Sequence, residues 1–153
     1  MQALDQSCWV LEPERPTFAA VSRRIALANN ISLHLLIDPL RPRAIPECKF
    51  LGADSLVEHL RENFGRNMWR WDPNGNLRDN LEKTLQISFP SPKSVRREEL
   101  NVECGICYVF RMEEFIPDVG CDNPKCKKVF HRVCLADWLQ SIPSSKQSFD
   151  RLF

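Results

Sequence analysis

Between Cys104 and Cys134 the sequence runs C-G-I-C-Y-V-F-R-M-E-E-F-I-P-D-V-G-C-D-N-P-K-C-K-K-V-F-H-R-V-C. The spacing is Cys104-x2-Cys107-x13-Cys121-x4-Cys126-x4-His131-x2-Cys134, which puts five of the seven cysteines and one of the three histidines inside 31 residues. Thiolate and imidazole are the ligands that zinc takes in a closed tetrahedral shell, and a C-x2-C loop delivers two sulfurs to one ion with little chain strain. Five buried thiols beside a core histidine would be a coincidence of spacing. A disulfide framework fits poorly with an odd cysteine count and with no secretory signal. The six residues therefore read as zinc ligands.

A metal filled by protein sulfur and nitrogen offers no open position to water or substrate, so it shapes loops instead of catalysing. The loops so fixed carry Ile106 and Tyr108 on either side of Cys107. After Cys134, L-A-D-W-L starts a helix that is expected to set Leu135, Trp138 and Leu139 along one side. An Ile on a metal loop beside a Trp on a helix makes a shallow apolar groove suited to another protein; the alternative is that Trp138 covers the metal site. Lys125, Lys127 and Lys128 in the ligand loop are expected to be solvated. Thiol redox chemistry lacks its usual βαβ setting, and a Cys–His nucleophile pair would not come wrapped in four further ligands.

Composition limits the remaining classes. At 153 residues, 43% hydrophobic and 27% charged, the chain is one ordinary domain, or a partial domain with a small metal module. A net charge of +1 supplies no field for nucleic acid. No apolar run approaches a bilayer span, and the N-terminus lacks the features of a signal peptide. Thiols used as ligands place the protein in a reducing compartment, cytosol or nucleus.

The elements that must position the metal loops are expected in this order. Pro13 and Pro16 favour extended or irregular backbone over residues 1–24, with Trp9 and Leu11 sharing a face if a short strand forms. Trp9 needs cover so early that upstream structure is expected to be missing. From Ile31 to Asp38 the residues alternate, Ile31, Leu33, Leu35 and Ile37 inward and His34 on the polar side. Pro42, Pro46 and Cys48 lie in a crossing segment, and Cys48 and Cys8 read as small buried hydrophobes. Ser55-x-x-Glu58 has capping-box spacing ahead of a helix carrying Leu56, Leu60 and Phe64, with Gly65 at its C-terminal cap and His59 solvated. Trp69 and Trp71 suggest a short extended piece before a W-D-P-N-G turn. A second helix follows, capped by Asn76 and buried through Leu77, Leu81 and Leu85. Residues 1–90 thus read as a small α+β unit with helices on one face of a sheet, 91–101 as a polar linker, and 102–153 as the metal module.

The zinc segment resembles a RING finger of the C4HC3 kind. Together, N-V-E-C-G-I-C-Y, I-P-D-V-G-C-D-N-P-K-C, V-F-H-R-V-C-L-A-D-W-L and S-K-Q-S-F resemble the RING ubiquitin-ligase family of the Fanconi anaemia core complex, the FANCL type. Upstream, W-V-L-E-P-E-R-P, R-R-I-A-L-A-N-N, P-E-C-K-F-L-G-A-D, W-D-P-N and L-Q-I-S-F-P resemble the second lobe of that family's UBC-RWD substrate-binding domain. The resemblance implies an α+β RWD/UBC-like lobe followed by a RING module. It implies an E3 that bridges a ubiquitin-charged E2 enzyme and a substrate without a covalent intermediate of its own. The substrate expected is a DNA-crosslink-repair protein, monoubiquitinated in the nucleus, with other core-complex subunits as further partners and neither nucleic acid nor membrane bound directly.

Carried onto this sequence, the resemblance makes Ile106, Tyr108 and Trp138 the E2 contacts, and Trp9, Leu11, Ile45 and Leu51 the substrate surface. Cys104, Cys107, His131 and Cys134 form the first zinc site, and Cys121 and Cys126 are half of the second. Two tetrahedral ions take four ligands apiece, and the 19 residues after Cys134 contain no Cys or His. The family's closing C-x2-C is therefore missing, and the expectation is a fragment that binds one zinc firmly and has weak or no ligase activity alone. Lys49, in an otherwise apolar stretch, marks a substrate surface that differs from the family's. Two other readings remain open: a PHD-type finger that binds histone tails, and a non-catalytic fragment that binds substrate but no E2. A PHD finger usually carries its Trp just before the seventh ligand, whereas Trp138 follows Cys134 by four residues.

Overall fold

The structure is a computed structural model that describes every residue except 29, 101, 124, 127 and 144–153. The S-K-Q-S-F stretch and Lys127 lie outside the described residues. A short helix α1 (Gln2–Ser7) leads into a four-stranded antiparallel meander, β1 (Val10–Glu12), β2 (Ser22–Ala28), β3 (Ile31–Leu36) and β4 (Glu47–Leu51), whose spatial order follows the chain. Helix α2 (Asp54–Asn67), a single 3-10 turn and helix α3 (Leu77–Leu85) follow. Beyond them come α4 (Arg97–Leu100), a two-residue hairpin of β5 (Val119–Gly120) with β6 (Val129–Phe130), and α5 (Arg132–Ser141).

Strand alternation sorts the sheet into two faces. Ile25, Leu27, Leu33, Leu35 and Phe50 point toward α2 and α3, where they meet Val57, Leu60, Leu81 and Leu85 in one apolar core with Leu4, Cys8 and Phe89. Burial pushes the Cys48 thiol, packed at the edge of this core, up to about 12, with Glu47 adding to the effect, so it behaves as an inert small hydrophobe. The opposite face carries Arg24, Ala26, Ser32 and His34, and it is also covered. Leu11 and Ala26 join Leu100 and Ile116 in a second cluster, flanked by Trp9, Val95 and Phe110. The early tryptophan therefore finds its cover inside this chain, its indole N–H donating to the Val95 carbonyl at 2.8 Å.

Covering both faces explains why β2 has no alternating signature: Arg23 through Leu27 are all buried. Arg23 is 1% exposed and is held by the Asp5 carboxylate at 2.8 and 3.0 Å and by three carbonyls. His34, expected on a solvated face, instead lines a cleft under the C-terminal module.

The helix signals met mixed outcomes. Asn76 caps α3, its side-chain oxygen accepting from the Asp79 amide at 2.8 Å, and Leu81 and Leu85 are fully buried. The Ser55–Glu58 box does not form, because α2 starts two residues earlier with Ala53 at its cap and no side-chain bond within the segment. Gly65 lies inside α2, which runs on to Asn67, and Leu56 is exposed while Val57 takes its place in the core. Asn67 explains the extension: its amide spans the Asn63 and Thr84 carbonyls and ties α2 to α3. The Trp69 region is a 3-10 turn instead of an extended piece, with Trp69 exposed under a cation–π contact from Arg70.

Candidate metal centre and its docking

The first ligand loop is a tight knuckle. Cys104 sits fully buried where its amide donates to the Val109 carbonyl and its carbonyl accepts from the Tyr108 amide. Closing that loop places Tyr108 in the left-handed region at φ 59°, which turns its ring out to 71% exposure. Gly105 follows, and a Cβ there would lie 2.9 Å from the Phe130 ring and push it aside. The second ligand pair arrives on α5, with His131 at its cap and Cys134 in its first turn.

These elements bring Cys104, Cys107, His131 and Cys134 together, their ligand atoms all within 4.8 Å of one another. His131 is 1% exposed. Its Nε2–H donates to the Phe110 carbonyl at 3.0 Å, which leaves the Nδ1 lone pair facing Cys107 Sγ at 3.4 Å and Cys134 Sγ at 3.8 Å. A carbonyl that fixes the tautomer of a ligating imidazole is the usual support of a metal-bound histidine. Cys104 Sγ accepts from the amides of Ile106 and His131, each at 3.4 Å. Burial works against its thiolate, yet these amides and that of Cys107 prevail and hold the thiol down at about 6. Cys134, crowded by burial and by the neighbouring sulfurs, is pushed up to about 12. Three sulfurs beside one imidazole nitrogen form a donor set for a divalent cation. The four residues could hold a metal ion.

The other two ligand-type residues stand apart from this cluster. Cys121 leaves β5 with its amide bonded to the Lys128 carbonyl, and Cys126 closes a turn on the Asn123 carbonyl. Among the described residues no second group of three ligands gathers around them.

Around the metal cluster, Ile106 is half-buried, Tyr108 and Val109 are exposed, and Trp138 is 51% exposed. On α5, Leu135 and Leu139 are buried, while Trp138, one turn beyond Cys134, is half exposed. Both segments are anchored to the cluster, Ile106 and Tyr108 through Cys107 and Trp138 through Cys134, one turn before it on α5. Of the residues expected on the lobe, Leu11 and Leu51 line one shared cavity. Trp9 and Leu11 are packed under the C-terminal module, whereas Ile45 and Leu51 are half-buried at and beside β4.

Residues that sequence spacing did not flag fasten the module to the lobe. Arg24, 6% exposed, donates to Ser32 Oγ at 2.8 Å and to the Pro117 carbonyl at 3.0 Å, and Glu12 lies 3.5 Å away. Burial lowers the Arg24 guanidinium's pKa while Glu12 and Asp118 oppose the shift, so the group stays a cation compensated by Glu12 of β1 and by Asp118 of the module. From the module, Arg111 donates to the Leu11 carbonyl at 2.8 Å. The carboxylate of Asp122 accepts from the Asp54 amide at 3.0 Å, capping α2 across 68 residues of sequence. No spacing rule pairs residues so far apart.

A small antiparallel sheet backed by helices, with a Cys/His cluster docked on its free face, defines the class: a UBC-like lobe joined to a RING-like metal module. Residues 1–92 match the family description "FANCL UBC-like domain 3", and residues 100–153 match "FANCL C-terminal domain". The chain belongs to the FANCL family. Over 153 residues it is 40% identical to the mouse E3 ubiquitin-protein ligase FANCL, covering 100% of this chain and 41% of that relative. To the Drosophila melanogaster E3 ubiquitin-protein ligase Fancl it is 29% identical over 152 residues, 94% of this chain and 40% of the relative. A crystal structure of FANCL superposes with a TM-score of 0.70 at 28% identity, covering 95% of this chain and 41% of that one. The chain therefore spans about two fifths of the length of the curated relatives it matches.

Proposed function

We propose that the chain is the carrier-docking and substrate-facing part of a RING-type E3 ubiquitin ligase. The single observation that carries this reading is the four-ligand cluster with Ile106 and Tyr108 on one of its loops and Trp138 on its helix. Zinc is the metal proposed for it. Three sulfurs and one nitrogen match its preference, and a tetrahedron with Zn–S bonds of about 2.3 Å spaces ligands about 3.8 Å apart, within the 4.8 Å observed. When bound, the ion supplies a fixed closed shell and no reactive position.

The chain's own residues then do the work by placement. Ile106, Tyr108 and Trp138 present apolar surface to an E2, and the lobe holds the acceptor protein nearby, so transfer gains from proximity and orientation. A crosslink-repair protein as substrate, monoubiquitination, association with other core-complex subunits and a nuclear location belong to the same proposal and rest on the family resemblance. Zinc at Cys121 and Cys126 with further ligands is likewise proposed.

The test is titration of purified E2 enzymes onto the zinc-loaded chain. Trp138→Ala and Ile106→Ala are each expected to weaken binding at least tenfold, the loss typical of a buried interface anchor, with bound zinc unchanged. Undiminished binding by both variants would overturn the reading.

A further inference from the structure

The metal module is not strung behind the lobe but set into it at one seam. Gly120 of β5 lies so close to Ala53 that a Cβ on it would fall 2.7 Å from the Ala53 nitrogen and 3.2 Å from the Ala53 Cα and Cβ. Two residues on, Asp122 accepts from the Asp54 amide at 3.0 Å. Helix α2 has no cap from its own segment, so a side chain beside the ligand loop supplies it. On the lobe side of the same stretch, Arg24 holds the Pro117 carbonyl and Ile116 fills the second apolar cluster. A backbone contact this close leaves no room to slide or tilt, and the cap sets the register along the helix end.

We propose that residues 116–122 form a rigid coupler in which Gly120 and Asp122 are positioning residues, fixing the angle between the metal-held ledge and the lobe. This rests on the ligase reading above: a carrier docked on Ile106 and Trp138 would face one defined part of the lobe and whatever protein sits there. Neither residue touches carrier or substrate. They act through the placement of β5 and of the first turn of α2.

Backbone ¹⁵N relaxation of the zinc-loaded chain tests this, because it gives separate tumbling times for the lobe and the module. The wild-type chain is expected to tumble as one body. Gly120→Val suits a strand, so it leaves β5–β6 pairing possible while its side chain collides with Ala53; the two parts are then expected to reorient separately with zinc content unchanged. Should Gly120→Val lose its metal, Ala53→Val enlarges the same seam from the lobe side and decides the question. Asp122→Ala is expected to speed hydrogen exchange at the Asp54 amide on the order of tenfold. Asp122→Asn, whose amide oxygen still accepts, restores protection; a merely structural loss of charge would not be rescued this way. Common tumbling in the seam variant that retains zinc, or no change at Asp54, overturns the coupler. Failure of the ligase reading shows differently, as absence of E2 binding to the wild-type chain while its single tumbling time stands.

Discussion

The lobe and the metal module are held together by different forces, and each has its own weakness. The lobe owns a core of twelve buried residues between one sheet face and two helices. Among its described residues the module has two-residue strands and a single ten-residue helix, and the most buried of them, Cys104 and His131, belong to the metal cluster itself. A core of that size folds by hydrophobic burial, whereas for a segment this small the stability is assigned to the proposed zinc, whose binding contributes about 10–16 kcal/mol in zinc-finger peptides. The lesson is that apolar face and donor set can be exchanged as organising principles within one short chain. The seam between them adds to a small apolar cluster a close backbone contact, a borrowed cap and a compensated buried arginine.

Metal removal separates the two most sharply. Chelation is expected to abolish hydrogen-exchange protection across 104–139, while α3 and the central strands β2 and β3 keep theirs; loss of protection throughout would show that the lobe has no independent core. Core truncation works the other way. Leu81→Ala, at a fully buried site, is expected to cost about 2–5 kcal/mol in denaturant unfolding of the lobe, with zinc still bound at wild-type stoichiometry. The smallest effect should come from Asn76→Ala, which removes the α3 cap and is expected to cost about 0.5–2 kcal/mol. Its effect should appear in the lobe transition alone, and a change in metal affinity would contradict the division.

How far the sequence alone discloses this structure follows the same line. The ligand cluster is legible because metal spacing is local: C-x2-C and H-x2-C each bring two donors to one point whatever surrounds them. Helix α3 is legible for a similar reason, with cap and leucine stripe lying within one segment. What escaped is what depends on a partner distant in sequence. Strand β2 looks unlike a strand because Arg23 and Arg24 open it, and only Asp5, Glu12 and the Pro117 carbonyl make their burial tolerable. The start of α2 is not legible in its own segment because its cap, Asp122, is borrowed from the module. His34 looked solvated because alternation reports which residues share a face, not whether a second layer covers it.

The proposed docking ledge depends most directly on the metal. Isothermal titration of one E2 onto the chain, repeated after chelation and again after zinc is restored, tests it. The predicted result is binding that disappears with the metal and returns with it, while the lobe stays folded throughout. Equal affinity for the metal-free chain would contradict it, since the ledge of Ile106, Tyr108 and Trp138 would then exist without the cluster that is argued to hold it.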